Sequence, residues 1–121
     1  RALRGPLREL LTADRDTAVR LVNRTLAERD ARPRLVRHDG WDYHLHATDA
    51  DAPLADRIAV ETAMAMVDVI RADELGRLAV CADDTCEGVV VDLSRNRSRR
   101  FCSTACGNRV AAAAYRARRS G

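Results

Sequence analysis

Four cysteines near the carboxyl end constrain the fold more than any other feature of this 121-residue chain. They form two close pairs that are separated by 15 residues. Each pair can sit on one tight turn and supply two thiolates to one metal ion, which is what a tetrahedral zinc site requires. We therefore predict a closed structural Zn²⁺ site, with no position left for water, whose ligands are Cys81, Cys86, Cys102 and Cys106.

Two other uses of the cysteines remain open at this stage. Disulfides are typical of secreted proteins, but we see no signal peptide and no uninterrupted apolar run of about 18 residues. Redox catalysis favours two residues between the cysteines, whereas these pairs enclose four and three. We therefore favour zinc, expect a cytoplasmic location, and expect no membrane partner.

Charge is distributed unevenly along the chain. Residues 1–76 carry 12 Arg and 14 acidic residues, a net charge of −2, whereas residues 77–121 carry 9 Arg and 4 acidic residues, a net charge of +5. Four thiolates and one Zn²⁺ would lower the second value to about +3. The excess of arginine favours an anionic partner, and we expect DNA. The candidate contacts are Arg95, Arg97, Arg99, Arg100, Arg109, Arg116 and Arg119.

Residues 1–76 are predicted to form a helical domain with one short β-hairpin. Apolar spacing indicates two helices between Leu3 and Ala31, and a third from Leu54 to Ala72. The apolar residues of the third helix cover more than half of its surface, so this helix needs partners on several sides. We expect either that an N-terminal portion of this domain is missing or that the chain forms a homodimer.

The hairpin of residues 34–48 is predicted to turn at Asp39-Gly40. Its second strand alternates between apolar and polar residues, which indicates that one face is half-buried. The apolar positions are Trp41, Tyr43, Leu45 and Ala47. His44 and His46 share the other face and could hold a metal, but surface positions are the favoured interpretation for both, and for His38.

Residues 77–121 are predicted to form a small β-hairpin followed by a helix. The valine run 89–91 indicates a strand, Asn96 lies in a turn, and residues 99–101 return to the second cysteine pair. The helix continues to about Arg119. The residues that we expect on its packing face are Cys106, Val110, Ala113 and Ala117.

Short motifs in this segment resemble a known family. Phe101-Cys102-Ser103 and Cys106-Gly107-Asn108-Arg109 resemble the CGNR zinc finger, and Val91-Asp92-Leu93-Ser94 resembles its Asp-x-Ser segment. The resemblance covers about residues 77–119. Residues 1–75 are similar to the later part of the ABATE domain that usually precedes this finger. The resemblance of the two segments to this family implies structural zinc and a role as a stress-induced transcription regulator.

The chain departs from the family pattern at a few positions. Phe101 stands where many members have Trp, and Val110 stands where a small residue followed by a basic one is common. The second cysteine pair is spaced by three residues where some members have four. These departures bear on partner specificity more than on zinc.

The residues after the last cysteine have expected roles. Gly107 would let the backbone turn tightly, and Asn108 would cap locally or bond to the ligand loop. Arg109 would either hold the module together by pairing with Asp92 or contact a phosphate or a guanine edge.

The favoured function is a DNA-binding transcription regulator whose four-cysteine zinc module presents arginines to duplex DNA. The alternative is a zinc-stapled protein-interaction or dimerisation module that does not bind nucleic acid. We see no nucleophile–base pair, open metal site or phosphate loop, so we do not expect an enzyme. The DNA site, the signal and any small-molecule ligand are not specified by the sequence.

Overall fold

The computed structural model describes residues 2–121, and the chain divides into two compact units, Arg1–Glu74 and Leu75–Gly121. Within the described residues there are four α-helices and two antiparallel hairpins, with the cysteines gathered in the second unit. The predicted fold class, mostly α with a β-hairpin and a cysteine-based metal module, is confirmed. Over residues 2–121, no helix combines the length and the apolar character needed to span a bilayer.

Three helices form the first unit: α1 (Arg4–Thr12), α2 (Arg15–Glu28) and α3 (Leu54–Arg71). Asp14 caps α2, because its carboxylate accepts a hydrogen bond from the amide of Thr17 at 3.0 Å. Helices α2 and α3 pack together and provide most of the core. The buried apolar residues of this unit are Leu10, Ala18, Leu21, Val22, Ala47, Ala59, Val60, Ala63 and Met66.

Strands β1 (Arg34–Val36) and β2 (His44–His46) form the predicted hairpin. The amide of Trp41 donates to the carbonyl of His38 at 3.0 Å, and both residues between them have positive φ, at 53° and 75°. Positive φ at both central residues is the type I′ signature, so the Asp-Gly turn forms where it was predicted.

The prediction that the apolar side chains of the second strand form its half-buried face was largely wrong. A two-residue turn without a bulge would pair Leu35 with His44, but Val36 pairs with His44 instead. The chain therefore holds one extra residue, a bulge, between Trp41 and the second strand, and a shift of one residue exchanges the faces of a strand. The apolar side chains Trp41, Tyr43 and Leu45 are exposed, and only Ala47 of the predicted apolar set is buried.

The second unit contains a 3₁₀ turn (Leu75–Arg77), strands β3 (Leu78–Val80) and β4 (Val89–Val91), and helix α4 (Thr104–Ser120). The valine strand was predicted to pair with the segment that returns to the second cysteine pair. It pairs instead with β3, Val80 opposite Val89, so the first cysteine pair lies in the loop of the hairpin. A sequence pattern identifies a strand, but it does not identify the partner.

The core of the second unit is very small. Its buried cluster consists of Cys81, Val90 and Cys106, with the other two cysteines and Phe101 packed against it. The packing face expected for α4 extends only to Val110, because residues 111–120 are all exposed. A unit of this size with one buried valine needs a further source of stability.

Candidate metal centre

The four cysteine sulfurs converge on one point. All of them lie within 4.8 Å of one another, and Sγ of Cys102 is 3.6 Å from that of Cys86 and 3.7 Å from that of Cys106. Zn–S bonds of about 2.3 Å place tetrahedral sulfurs about 3.8 Å apart. Cys81 and Cys106 are buried and the other two are half-buried. The cluster therefore fits a structural zinc ion.

Two local structures hold the ligands. Cys81 directly follows β3, and a turn in which the amide of Cys86 donates to the carbonyl of Asp83 at 2.8 Å brings the second sulfur back beside the first. Cys106 lies in the first turn of α4, where its amide donates to Oγ of the capping residue Ser103 at 3.3 Å. A strand end and a helix start thus supply rigid positions for the sulfurs.

Backbone amides stabilise the thiolates. The amide of Gly88 donates to Sγ of Cys86 at 3.3 Å, and the amide of Cys102 donates to Sγ of Cys81 at 3.4 Å. A side chain at position 88 would crowd the cluster, because a Cβ there would lie 3.0 Å from Sγ of Cys102. Glycine at this position therefore allows the backbone to approach the sulfurs closely.

The thiol pKa values indicate that the four cysteines do not all ionise together without a cation. Amide hydrogen bonds, first at Asp83 and then at Cys102, lower the pKa of Cys81 to about 7. In contrast, the sulfur neighbours Cys86 and Cys106, together with burial, raise the pKa of Cys102 to about 12. Four thiolates at this distance repel one another in the absence of a positive charge. A divalent ion supplies that charge, and zinc bound by thiolates is the usual solution.

Arg109 pairs with Asp83 and not with Asp92, so the partner proposed from the sequence was wrong. Nε of Arg109 donates to Oδ2 of Asp83 at 2.7 Å, and Nη2 lies 2.6 Å from the same oxygen and 3.2 Å from Sγ of Cys106. The hydroxyl and amide of Thr85, and then Arg109, lower the pKa of Asp83 to about 2. The guanidinium thus joins α4 to the turn that carries the first cysteine pair.

Asp92 organises the loop before the second pair. Its carboxylate accepts from the hydroxyl of Ser94, from the amide of Ser94 at 2.9 Å and from the amide of Arg99 at 3.1 Å. These hydrogen bonds, the Ser94 hydroxyl first, lower the pKa of Asp92. Arg77 donates to the carbonyls of Asp92 and Ser94 at 3.0 and 3.1 Å. The Asp-x-Ser segment therefore shapes the loop of residues 92–99.

Gly107 has a different role from the one expected. It lies inside α4, not in a turn, and a Cβ there would be 3.3 Å from the ring of Phe101. The glycine therefore leaves space for the aromatic ring that packs beside the sulfurs. The helix cap is Ser103, whereas Asn108 lies exposed on α4.

The other predicted DNA contacts are all exposed. Arg99 donates from Nη2 to the carbonyl of Cys102 at 3.2 Å, which leaves its side chain along the ligand loop. Arg100 stacks over Phe101, 5.7 Å from the ring centroid, and Arg119 lies 5.8 Å from the Tyr115 ring centroid. The arginines form two groups, one on the loop (Arg95, Arg97, Arg99, Arg100) and one on α4 (Arg116, Arg119).

Within residues 2–121, one other group of side chains has metal-ligand geometry: His38, His44 and His46, in the first unit. The sequence had suggested only His44 and His46 as a pair. No sequence pattern pointed to His38, because its position depends on the bulged register of the hairpin.

Family comparisons agree with both units. Residues 77–119 match the family model of the CGNR zinc finger. Residues 1–73 match the ABATE family model, which is described as "Putative stress-induced transcription regulator". The search of curated proteins finds no match to this chain. The family matches support a regulatory protein and not one of the enzyme families.

Proposed function

Because this chain belongs to the ABATE family and carries a CGNR zinc finger, we propose that it is a transcription regulator that binds duplex DNA through the arginines of its zinc unit. In this proposal Zn²⁺ has a structural role, and Cys81, Cys86, Cys102 and Cys106 are its ligands. The ion orders the loop of residues 92–101 and the start of α4. Both arginine groups then have fixed positions.

The observation that carries this proposal is the way charges are sorted in the zinc unit. Asp83 and Asp92 are only 3% and 5% exposed, and hydrogen bonds inside the unit engage both. Two arginines also bind groups of the unit itself: Arg77 donates to the carbonyls of Asp92 and Ser94, and Arg109 pairs with Asp83. The surface then carries two acidic residues, Asp84 and Glu87, against eight exposed arginines. One of these is Arg109, which Asp83 holds, and the other seven are Arg95, Arg97, Arg99, Arg100, Arg116, Arg118 and Arg119.

This sorting matters because the negative potential of the thiolates becomes weaker with distance from the cluster. The zinc cluster has a formal charge of about −2 and lies inside the unit, whereas the arginine heads lie at the surface where a phosphate would approach. Phosphate contacts dominate DNA affinity. The unit therefore presents a basic surface in spite of its anionic centre.

The diameter of helix α4 suits the major groove of DNA. Its residues 111–120 are all exposed, and an α-helix with side chains is about 10–12 Å across, close to the roughly 12 Å width of the major groove. Arg116 and Arg119 lie on this exposed part. In this proposal Arg109 is a positioning residue, since its guanidinium is bound to Asp83.

A salt titration tests the proposal. The zinc-loaded chain is titrated with random duplex DNA, and fluorescence anisotropy is measured from low to high salt. Replacing Arg95, Arg100 and Arg116 with Gln should reduce the slope of log affinity against log salt by about 0.9 for each lost phosphate contact. The matched control replaces the exposed arginines Arg4, Arg20 and Arg24 of the first unit, with the same loss of charge.

The control variant should keep the slope of the unaltered chain. Absence of duplex binding at low salt would overturn the proposal. So would an equal loss of slope in both triple variants, because that result would indicate attraction to net charge and not to the arginines of the zinc unit.

Self-association is a second candidate function, and exposed apolar side chains of the first unit favour it. Leu54 at the start of α3 is 65% exposed and Leu45 on β2 is 58% exposed. Sedimentation of the full chain over a range of concentrations measures this directly. A dimer that persists at low concentration, together with no duplex binding, would favour an interaction module over a DNA-binding protein.

A further inference from the structure

We propose that His38, His44 and His46 form a second metal site, which binds one divalent late transition-metal ion and leaves a coordination position open. This site is in the first unit and is separate in chemistry from the cysteine cluster. The proposal goes beyond the DNA-binding function and does not depend on it.

The three Nε2 atoms form a nearly equilateral triangle. They are 3.1 Å apart for His44 and His46, 3.2 Å for His44 and His38, and 3.3 Å for His38 and His46. Metal–nitrogen bonds of about 2.1 Å separate two nitrogens by about 3.4 Å in a tetrahedral site and about 3.0 Å in an octahedral one. The observed edges lie between these values. An ion would bind all three nitrogens from about 1 Å outside their plane.

The hydrogen bonds of the opposite ring nitrogens point to the same conclusion. Nδ1 of His44 lies 2.9 Å from the carbonyl oxygen of Asp42, which can only accept, so this nitrogen carries the hydrogen. Nδ1 of His38 lies 2.8 Å from the carboxylate of Asp39 and donates in the same way. In neutral rings, both Nε2 atoms then carry lone pairs.

Two lone pairs that face each other at 3.2 Å repel, and a hydrogen on His46 can bridge only one of the contacts at a time. A metal ion accepts all three lone pairs at once and removes the conflict. A metal-bound imidazole whose other nitrogen donates to a carboxylate or a carbonyl is also the usual arrangement in metalloproteins. The cluster therefore has both the inner nitrogens and the outer partners of a metal site.

The hairpin supplies the positions. In the bulged register, His44 pairs with Val36 and His46 pairs with Arg34, so both histidines point to one side of the strands. The Asp39-Gly40 turn begins at His38 and folds its ring onto that side, with the ring centroids of His38 and His44 4.7 Å apart. Strand geometry and a tight turn thus fix the triangle.

The site is open, in contrast to the cysteine cluster. The side chain of His38 is 47% exposed, and the other two histidines are half-buried. Three protein ligands leave at least one position for water or another small ligand. Three imidazoles without a thiolate suit Zn²⁺, Ni²⁺, Cu²⁺ or Co²⁺ and do not suit Mg²⁺ or Ca²⁺.

Cobalt binding to the full chain loaded with one equivalent of Zn²⁺, enough for the cysteine cluster alone, tests the proposal. Co²⁺ is added and the metal content is measured after dialysis, while the absorption spectrum shows which ligands are used. We expect one extra Co²⁺ per chain without a sulfur-to-cobalt charge-transfer band. The variant with His38→Gln, His44→Gln and His46→Gln should lose this ion. Leu45→Gln, between two of the histidines on the exposed opposite face, should keep it.

A graded variant separates a metal site from a histidine cluster that only takes up protons. Asp39→Asn removes the charged partner of His38 and should weaken Co²⁺ binding about 10–100-fold, as loss of an outer partner usually does. Circular dichroism of each variant checks that the first unit remains folded. Equal uptake of Co²⁺ by the unaltered chain and the triple variant would overturn the proposal. Uptake that appears only with a thiolate charge-transfer band would also overturn it, because the cobalt would then have replaced zinc.

Discussion

The cysteine cluster and the histidine cluster both bring their donor atoms close together, but one lies in the core of its unit and the other lies at the surface. Each gathers its donor atoms within 4.8 Å, the histidines from one hairpin and the cysteines from two pairs that are 15 residues apart. The cysteine cluster makes up most of the core of its unit, whereas the histidine cluster lies on a hairpin whose unit has a core of its own. The same kind of ligand geometry can therefore be part of the fold in one unit and an addition to the fold in the other.

The difference follows from what each unit buries. The second unit buries two of its sulfur ligands and one valine, so we expect its stability to depend on the metal. Among residues 2–74, nine apolar residues are buried, chiefly on α2 and α3, and no histidine is buried with them. Removal of a metal should therefore affect the two units differently, and the following four predictions test this from the largest effect to the smallest.

Chelation should unfold the second unit and leave the first one folded. Structural zinc contributes about 10–16 kcal/mol to small zinc domains, which is more than one buried valine can replace. Hydrogen exchange of the full chain, resolved by mass spectrometry, should show loss of protection in residues 75–121 only. Excess Zn²⁺ should restore it. The contrast between the units would fail if β3, β4 and α4 stayed protected in the chelator.

The two fully buried valines provide a matched pair, since Val60 lies in the first unit and Val90 in the second. Truncation to alanine should cost about 2 kcal/mol at each site. Val60→Ala should lower the free energy of unfolding of the first unit. In Val90→Ala the same cost should weaken zinc binding about 30-fold, because folding and metal binding are coupled. Competition with a chelator measures the latter; unchanged zinc affinity in Val90→Ala would argue against the coupling.

Arg109→Lys should weaken zinc binding about 10–100-fold, the usual effect of losing an outer partner of a metal ligand. Lysine keeps the charge, but it lacks the planar fork that contacts both Asp83 and Sγ of Cys106. Arg116→Lys, two turns further along α4, is the matched control and should bind zinc like the unaltered chain. Equal zinc affinities in the two variants would mean that the fork does not support the site.

The smallest expected effect is a pH dependence in the first unit. The amide and hydroxyl hydrogen bonds of Thr17 lower the pKa of Asp14 from its usual value of 3.8. A carboxyl group with a lowered folded pKa stabilises the fold above its unfolded pKa, and this contribution is lost as pH falls below about 3.8 toward the folded value. Asp14→Asn keeps a good cap without a charge. The melting temperature of the first unit should then depend less on pH in the acidic range. An unchanged pH dependence would rule out Asp14 as its cause.

Much of this structure could be predicted from local sequence patterns. The helices of the first unit, the Asp39-Gly40 turn and the valine strand all lie close to where periodicity and turn chemistry place them. The cysteine spacing predicted a zinc module, and the family matches and the buried cluster agree with it. These features depend on residues that are close in sequence, or on cysteine pairs whose spacing is typical of zinc ligands.

The failures concern pairing between distant segments. The valine strand pairs with β3, and Arg109 pairs with Asp83, because the turn of the first cysteine pair folds back against α4. Both acidic residues were available to Arg109 in the same short module. Nothing in the sequence distinguishes them, since the choice depends on which carboxylate the folded loop brings within reach.

The sequence by itself determined the structural elements of this protein: a helical unit, a hairpin with an Asp-Gly turn, and a unit organised by four cysteines. Only the tertiary structure decided which polar groups meet. One extra residue between Trp41 and β2 sets the register that gathers His38, His44 and His46, and a single turn directs Arg109 to Asp83. Periodicity and ligand spacing are local properties, whereas register and ion pairing depend on how distant segments pack.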